Sequence, residues 1–175
     1  SQMTPLKIDL TRMLARIDIQ NNASGFTVEN VYLANYNTAG YIAPAWDLLG
    51  NIDETTEDLM IPSTNQKQIG EDNVINYAVN IPEGESYEGE IYTFEAHAAV
   101  DDPDNSLNDE YPDRKDAVCL IVKGNINGES YYYRVDFLEK NTAEYMPLKR
   151  NYKYVIDIRE ASGIGYASIT EALES

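Results

Sequence analysis

The sequence is poor in the residues that carry most enzyme chemistry. It has one cysteine, Cys119, and one histidine, His97, in 175 residues. A single thiol excludes an internal disulfide and a multi-thiolate metal site. A single imidazole leaves any His-based metal site or Ser-His-Asp triad resting on His97 alone. Positive charge is scarce too, with 13 basic against 30 acidic side chains and a net charge of −17 at pH 7. A surface that negative repels nucleic acid and anionic membrane leaflets, both of which call for Lys and Arg. No window approaches the roughly 20 apolar residues of a bilayer-crossing helix. Nothing at the start reads as a signal peptide, and the chain opens on Ser1 rather than Met, as a processed or trimmed chain does.

Helical periodicity is nearly missing, and two-residue alternation takes its place. Apolar residues make up 43% of the chain, enough to build the core of one domain. Met13, Ala15, Ile17 and Ile19 share one face of a strand, with Arg16, Asp18 and Gln20 on the other. Phe26 and Val28, then Val31 and Leu33, alternate with a change of phase that predicts a bulge near Glu29-Asn30. Asn127-Gly128 is the preferred pair for a two-residue type I′ hairpin turn. Folding there sets Val122 opposite Tyr133, Leu120 opposite Val135 and Val118 opposite Phe137, with Ile121–Arg134 and Cys119–Asp136 on the other face.

A further strand alternates Tyr152, Tyr154, Ile156 and Ile158 with Lys153, Val155, Asp157 and Arg159. Weaker strands are expected at Val74–Asn80 and Ile91–Ala98, with acidic or Pro/Gly-marked loops at 51–58, 82–89 and 101–116. The tail from Ser168 reads as helical, Ser168-Ile169-Thr170-Glu171 matching a capping box. Strands at irregular spacing with long loops predict an all-β, antiparallel two-sheet sandwich, one domain over residues 1–175. Fourteen tyrosines against three phenylalanines suit half-wet sheet faces and subunit contacts.

The reactive residue types read mostly as structural. His97 falls in a strand-like run, as an ordinary sheet histidine does. Cys119, opposite Asp136, has a thiol whose pKa a carboxylate would raise, the wrong direction for a nucleophile. Gly163-Ile164-Gly165 partly resembles a dinucleotide loop, but Ser168 stands at the third glycine position and no βαβ pattern accompanies it. The stretch 101–113 concentrates hard oxygen ligands suited to calcium, yet position six from Asp102 is Leu107 where an EF-hand needs glycine. No catalytic residue, cofactor or metal ligand is therefore assigned, and a carboxylate hydrolase has only composition in its favour. Tyr36, Tyr41 and Trp46 fall in one region, where aromatic faces could stack on sugars, so a surface glycan-binding module is the alternative function.

Two groups of residues carry a family resemblance. Leu10-Thr11-Arg12-Met13-Leu14-Ala15-Arg16-Ile17-Asp18-Ile19 leads into Phe26 to Asn35. Further on come Cys119 to Gly124, Tyr132 to Phe137, Leu148 to Tyr154 and the closing Gly163-Ile164-Gly165-Tyr166. In order and spacing these resemble the N-terminal domain of Bacteroidales fimbrillins, the FimA-type major fimbrial subunits also called type V pilins. The resemblance implies a transthyretin-like, Greek-key sandwich, exported as a lipoprotein precursor to the outer membrane and built into a surface fimbrium that serves cell adhesion. It implies processing by an Arg-specific protease, for which Arg12 and Arg16 are the nearest basic residues. It also implies that partners are other pilin subunits joined by donor-strand exchange, with a host or bacterial surface ligand at the adhesive end. Fimbrillins usually carry a second C-terminal sandwich, so a fragment or a shortened subunit is expected.

Overall fold

Alternation of apolar and polar residues decides the elements. The computed structural model describes residues 13–41, 59, 61–100, 112–161 and 163–175. β1 (Ala15–Asn21) buries Ala15, Ile17 and Ile19, and β2 (Phe26–Ala34) buries Phe26, Val28, Val31 and Leu33. The phase change in β2 is real: Val28 pairs with Gly124 and Asn30 with Lys123, leaving Glu29 as the extra residue of a bulge. Two-residue strands β3 (Tyr36–Asn37) and β4 (Lys67–Gln68) pair with each other. β5 (Ile75–Ile81) and β6 (Ser86–Thr93) follow, then the hairpin β7 (Cys119–Ile126) and β8 (Glu129–Asp136), β9 (Lys153–Ile158) and helix α1 (Ile169–Glu174).

Two larger sheets form the sandwich: β6-β1-β9, and β5-β2-β7-β8. Their inner faces close on one cluster that includes Ile17, Ile19, Val28, Val31, Leu33, Ile91, Leu120, Val122 and Leu148. Gly124 makes room for the Phe26 ring of the neighbouring strand β2, because a Cβ there would sit 2.0 Å from Phe26 Cζ. The β7–β8 register is the expected one, Val122 facing Tyr133 and Cys119 facing Asp136. Asn127 and Gly128 both take positive φ, 53° and 88°, as a type I′ turn requires.

Four expectations need correction. β1 pairs with β9 in parallel, so the sandwich is not wholly antiparallel. Most of the chain separates these two strands, so no short connection dictates their direction. Residues 82–89 are not all loop, since β6 begins at Ser86. Its acids and Gly89 bulge outward around Asp18, whose carboxylate takes the Gly89 N–H at 3.0 Å, and that masked the strand pattern. The strand expected over 91–98 ends at Thr93, with only an Ala96–Leu148 bridge beyond it, so His97 lies outside a strand and is half-buried.

The outer face of the second sheet is covered by α1. Ala172 and Leu173 bury against Ala34, Cys119 and Ile121. Ser168 Oγ accepts the Glu171 N–H at 3.2 Å as the N-cap. The return bond of the capping box is displaced by one residue, Glu171 Oε2 accepting from Ala167 N at 3.1 Å. At the other end Arg134 Nη1 donates to Leu173 O at 2.7 Å, and Arg114 donates to Ser175 O, satisfying helix carbonyls. Asp136 holds both guanidiniums, 2.8 Å from Arg114 Nε and 2.7 Å from Arg134 Nε. The same packing explains Cys119. Burial is the main cause that pushes its thiol up to about 11, Asp136 adding to the rise while Arg134 opposes it.

Candidate functional site

A two-sheet sandwich has four border strands, and each must be kept from pairing with other chains. Three are blunted here. β5 is irregular against β2, which steps from Val28 to Asn30 while β5 steps from Ile81 to Ala78. β6 bulges between its pairings with Ile17 and Ile19 and carries Glu88 and Glu90. β8 is bridged by the segment after β9, Tyr132 and Tyr166 exchanging backbone bonds of 2.9 and 2.8 Å. That crossing is close: a Cβ on Gly165 would lie 2.7 Å from Tyr132 O. The glycines that resembled a nucleotide loop therefore serve a strap passing over a strand edge.

β9 has neither a bulge nor a strap, and its charges, Lys153 and Asp157, leave Val155 and Ile156 between them. Its register with β1 runs unbroken from Lys153 to Ile158, with no bulge and no proline. Arg16 N donates to Tyr152 O and Asn22 N to Ile158 O, so the even-numbered backbone groups face β1. By alternation the N–H and C=O of Val155 and Asp157 point the other way, and β9 has no second strand neighbour among the described residues. Val155 adds an apolar side chain that is 51% exposed in the middle of this edge.

Beside the edge the sandwich is open. β5 and β6 are joined by a four-residue corner on one flank, whereas β8 and β9 leave a gap on the other. Two adjoining cavities, about 490 and 350 Å³, run along that gap and share Ile156, Asp157 and Arg159. The first is walled by Phe137, Met146 and Tyr154, the second by Phe26, Val122 and Tyr133. The walls are fixed by the fold. Phe137 and Tyr154 meet edge-on at 6.2 Å, and Phe26 and Tyr133 at 5.7 Å. The Tyr154 hydroxyl donates to Pro147 O at 3.0 Å and accepts from Lys149 N at 2.9 Å. Asp157 is anchored by Arg159 at 2.8 Å and Asn22 at 2.7 Å, bonds that hold its carboxyl below the usual range. An apolar slot beside unpaired strand amides is suited to accept an extended chain, whose backbone would continue the sheet while alternate side chains fill the slot.

The residues singled out from sequence are not gathered here. Arg16 sits inside β1, paired on both sides, its guanidinium doubly bonded to Asp18 at 2.8 and 2.9 Å, so it occupies no cleavable loop. Tyr36 packs against the main core, while Tyr41 is 47% exposed. Arg12, Trp46 and residues 101–111 lie outside the described residues, as does the rest of any sugar platform or calcium loop built on them. Among the described residues no group of His, Cys, Asp or Glu side chains is arranged to hold a metal ion. Sequence reasoning missed the β8–β9 gap, although the clean alternation of β9 without proline, glycine or a central charge was a visible sign of an unguarded edge.

No protein-family model, no curated protein and no solved structure matches this chain. Its class is therefore set by the fold: an all-β sandwich with one short C-terminal helix.

Proposed function

We propose that this chain is a structural subunit of a cell-surface fimbrium, assembled by strand addition between copies, as the fimbrillin resemblance implies. One observation carries the reading: β9 pairs on one side only among the described residues and borders an apolar slot between the two sheets. An incoming strand would pair with the Val155 and Asp157 amides and cover Val155, Tyr154 and Ile156 together. Each residue of such a strand that buries about 80 Å² of apolar surface adds about 2 kcal/mol. Several such residues make a contact that dissociates very slowly. Export as a lipoprotein, Arg-specific processing and a role in adhesion belong to the same proposal.

The test compares the chain with Val155→Pro, before and after Arg-specific proteolysis, by light scattering and electron microscopy. Val155→Pro removes an outward N–H and no bond of the β1–β9 ladder. The expected result is polymer from the parent chain and none from the variant, whose monomer stays folded. Failure of the parent to polymerise under any of these conditions, or equal polymerisation of the variant, overturns the proposal.

A further inference from the structure

The pair that sets the β7–β8 turn has a chemistry of its own. Asn127-Gly128 is the single Asn-Gly step in the sequence, and both residues are exposed. Glycine has no side chain to shield its amide nitrogen. That nitrogen and the Asn127 side-chain carbonyl carbon, Cγ, can close a five-membered ring.

We propose that Asn127 is a deamidation site and that the folded hairpin guards it. The Gly128 nitrogen, losing its proton to water, bonds to Asn127 Cγ, and the side-chain nitrogen leaves as ammonia. Water then adds to one carbonyl of the cyclic imide and reopens the ring, leaving aspartate or isoaspartate at position 127.

Two features of the fold oppose ring closure. Asn127 is held at φ 53° in a type I′ turn, which sets the Gly128 nitrogen on the far side of the Cα–C bond from the side chain. The Gly128 N–H is also tied, donating to Asn125 Oδ1 at 3.0 Å. Asn125 is steadied in turn, its Nδ2 donating to Ser130 Oγ at 3.4 Å while the Ser130 hydroxyl donates to Glu29 Oε2 at 2.8 Å. Glu29 is the extra residue of the β2 bulge, and Lys123 Nζ lies 3.6 Å from the same oxygen. The bulge thus anchors a line of polar groups that ends on the attacking amide.

Attack waits for the turn to open, an event local to the hairpin tip. The two products differ in effect. Aspartate before glycine suits a type I′ turn and adds one negative charge. Isoaspartate adds a main-chain carbon before Gly128, which a two-residue turn does not accommodate, so the Ile126–Glu129 pair beside it is lost. β8 walls the smaller cavity with Tyr133 and Val135, so this product loosens that wall from its turn end. Departure of ammonia makes the change one-way.

The experiment incubates the full chain at mildly alkaline pH and follows the tryptic peptide 124–134 by mass spectrometry for the gain of one mass unit, fragment ions giving the position. The parent, Asn125→Ala and Asn125→Asp are compared in the native state and in guanidinium. Position 127 should react before any other asparagine, and about tenfold more slowly in the native parent than in the unfolded chain. Native Asn125→Ala should react about fivefold faster than the native parent, the worth of one hydrogen bond. Asn125→Asp keeps an acceptor oxygen and should react no faster than the parent. In guanidinium the parent and Asn125→Ala should react alike. Earlier reaction at another asparagine overturns the site, and equal native and unfolded rates overturn the guard. Equal native rates for the parent and Asn125→Ala, or a faster Asn125→Asp, overturn the role of the polar line.

Discussion

Gly124→Ala tests how packing across the β2–β7 pair is coupled to the slot. Gly124 pairs with Val28 in the β2–β7 ladder, and its φ is not positive, so alanine brings no backbone strain. The cost is steric. The new Cβ would lie 2.0 Å from Phe26 Cζ and 2.2 Å from Cε2. Phe26 is 3% exposed, and its ring stands edge-on to Tyr133 at 5.7 Å. Overpacking of this kind costs about 2–3 kcal/mol, while removal of glycine from a strand returns about 0.5 kcal/mol. For a domain of this size that predicts a fall in Tm of about 5–10 °C. Phe26→Leu removes the ring atoms that collide and alone costs about 1–2 kcal/mol. In that background Gly124→Ala should be nearly neutral, so a double-mutant cycle by chemical denaturation should give a coupling of about 2 kcal/mol. Phe26 also walls the smaller cavity, so the displaced ring would enter the slot and weaken any strand bound there. An unchanged cost of Gly124→Ala in the Phe26→Leu background would refute the close approach of the Phe26 ring to Gly124.

Cys119 should resist maleimide at pH 8 in the native chain and label rapidly in guanidinium, because a thiol pushed up to about 11 by burial holds little thiolate at that pH. Rapid native labelling would contradict the seating of α1. Asp18 is held below the usual carboxylate range; burial opposes this, but the Arg16 bonds and the Gly89 N–H prevail. Its contribution is therefore present above the unfolded pKa near 4 and is lost as pH falls through the lower folded value. Asp18→Asn should destabilise at pH 7, with the difference in urea midpoint shrinking as pH falls below about 4, and a difference constant with pH would count against the pair. Asn21 is fully buried and donates to Phe26 O at 2.8 Å and Ile81 O at 2.9 Å while accepting from Ala23 N at 3.1 Å. Asn21→Ala should cost about 3 kcal/mol by urea denaturation, and a loss under about 1 kcal/mol would show those groups finding other partners.

Local signals read well where turn chemistry and side-chain alternation agree. The Asn127-Gly128 turn and the Val122–Tyr133 register are legible because a one-residue slip would throw three apolar pairs out of the core. The Ser168 cap is legible for a similar reason, its hydroxyl and the Glu171 amide lying within one turn of each other. β6 was hidden because Glu88, Gly89 and Glu90 break the alternation to wrap Asp18, a partner 71 residues away in sequence. The parallel β1–β9 pairing was hidden because no loop between neighbours records it. The β8–β9 slot belongs to the same category: it arises where two sheets fail to meet, and neither strand's own residues state the distance to the other. The tyrosines looked alike in sequence, but Tyr36 and Tyr154 sit among core residues while Tyr41 and Tyr166 remain wet.

The parallel run of β1 beside β9 has a mechanical consequence. Arg16 lies opposite Lys153 and Asn21 opposite Ile158, so the leading end of β1 and the trailing end of β9 are at opposite limits of the ladder. Tension that reaches β1 from before Ala15 and β9 from beyond Ile158 draws the two strands lengthwise past each other. Every rung then carries load together, whereas an antiparallel pair pulled at the same termini would unzip one rung at a time. Once the strap and α1 have peeled from the second sheet, this seam is the part of the sandwich built to bear stretch.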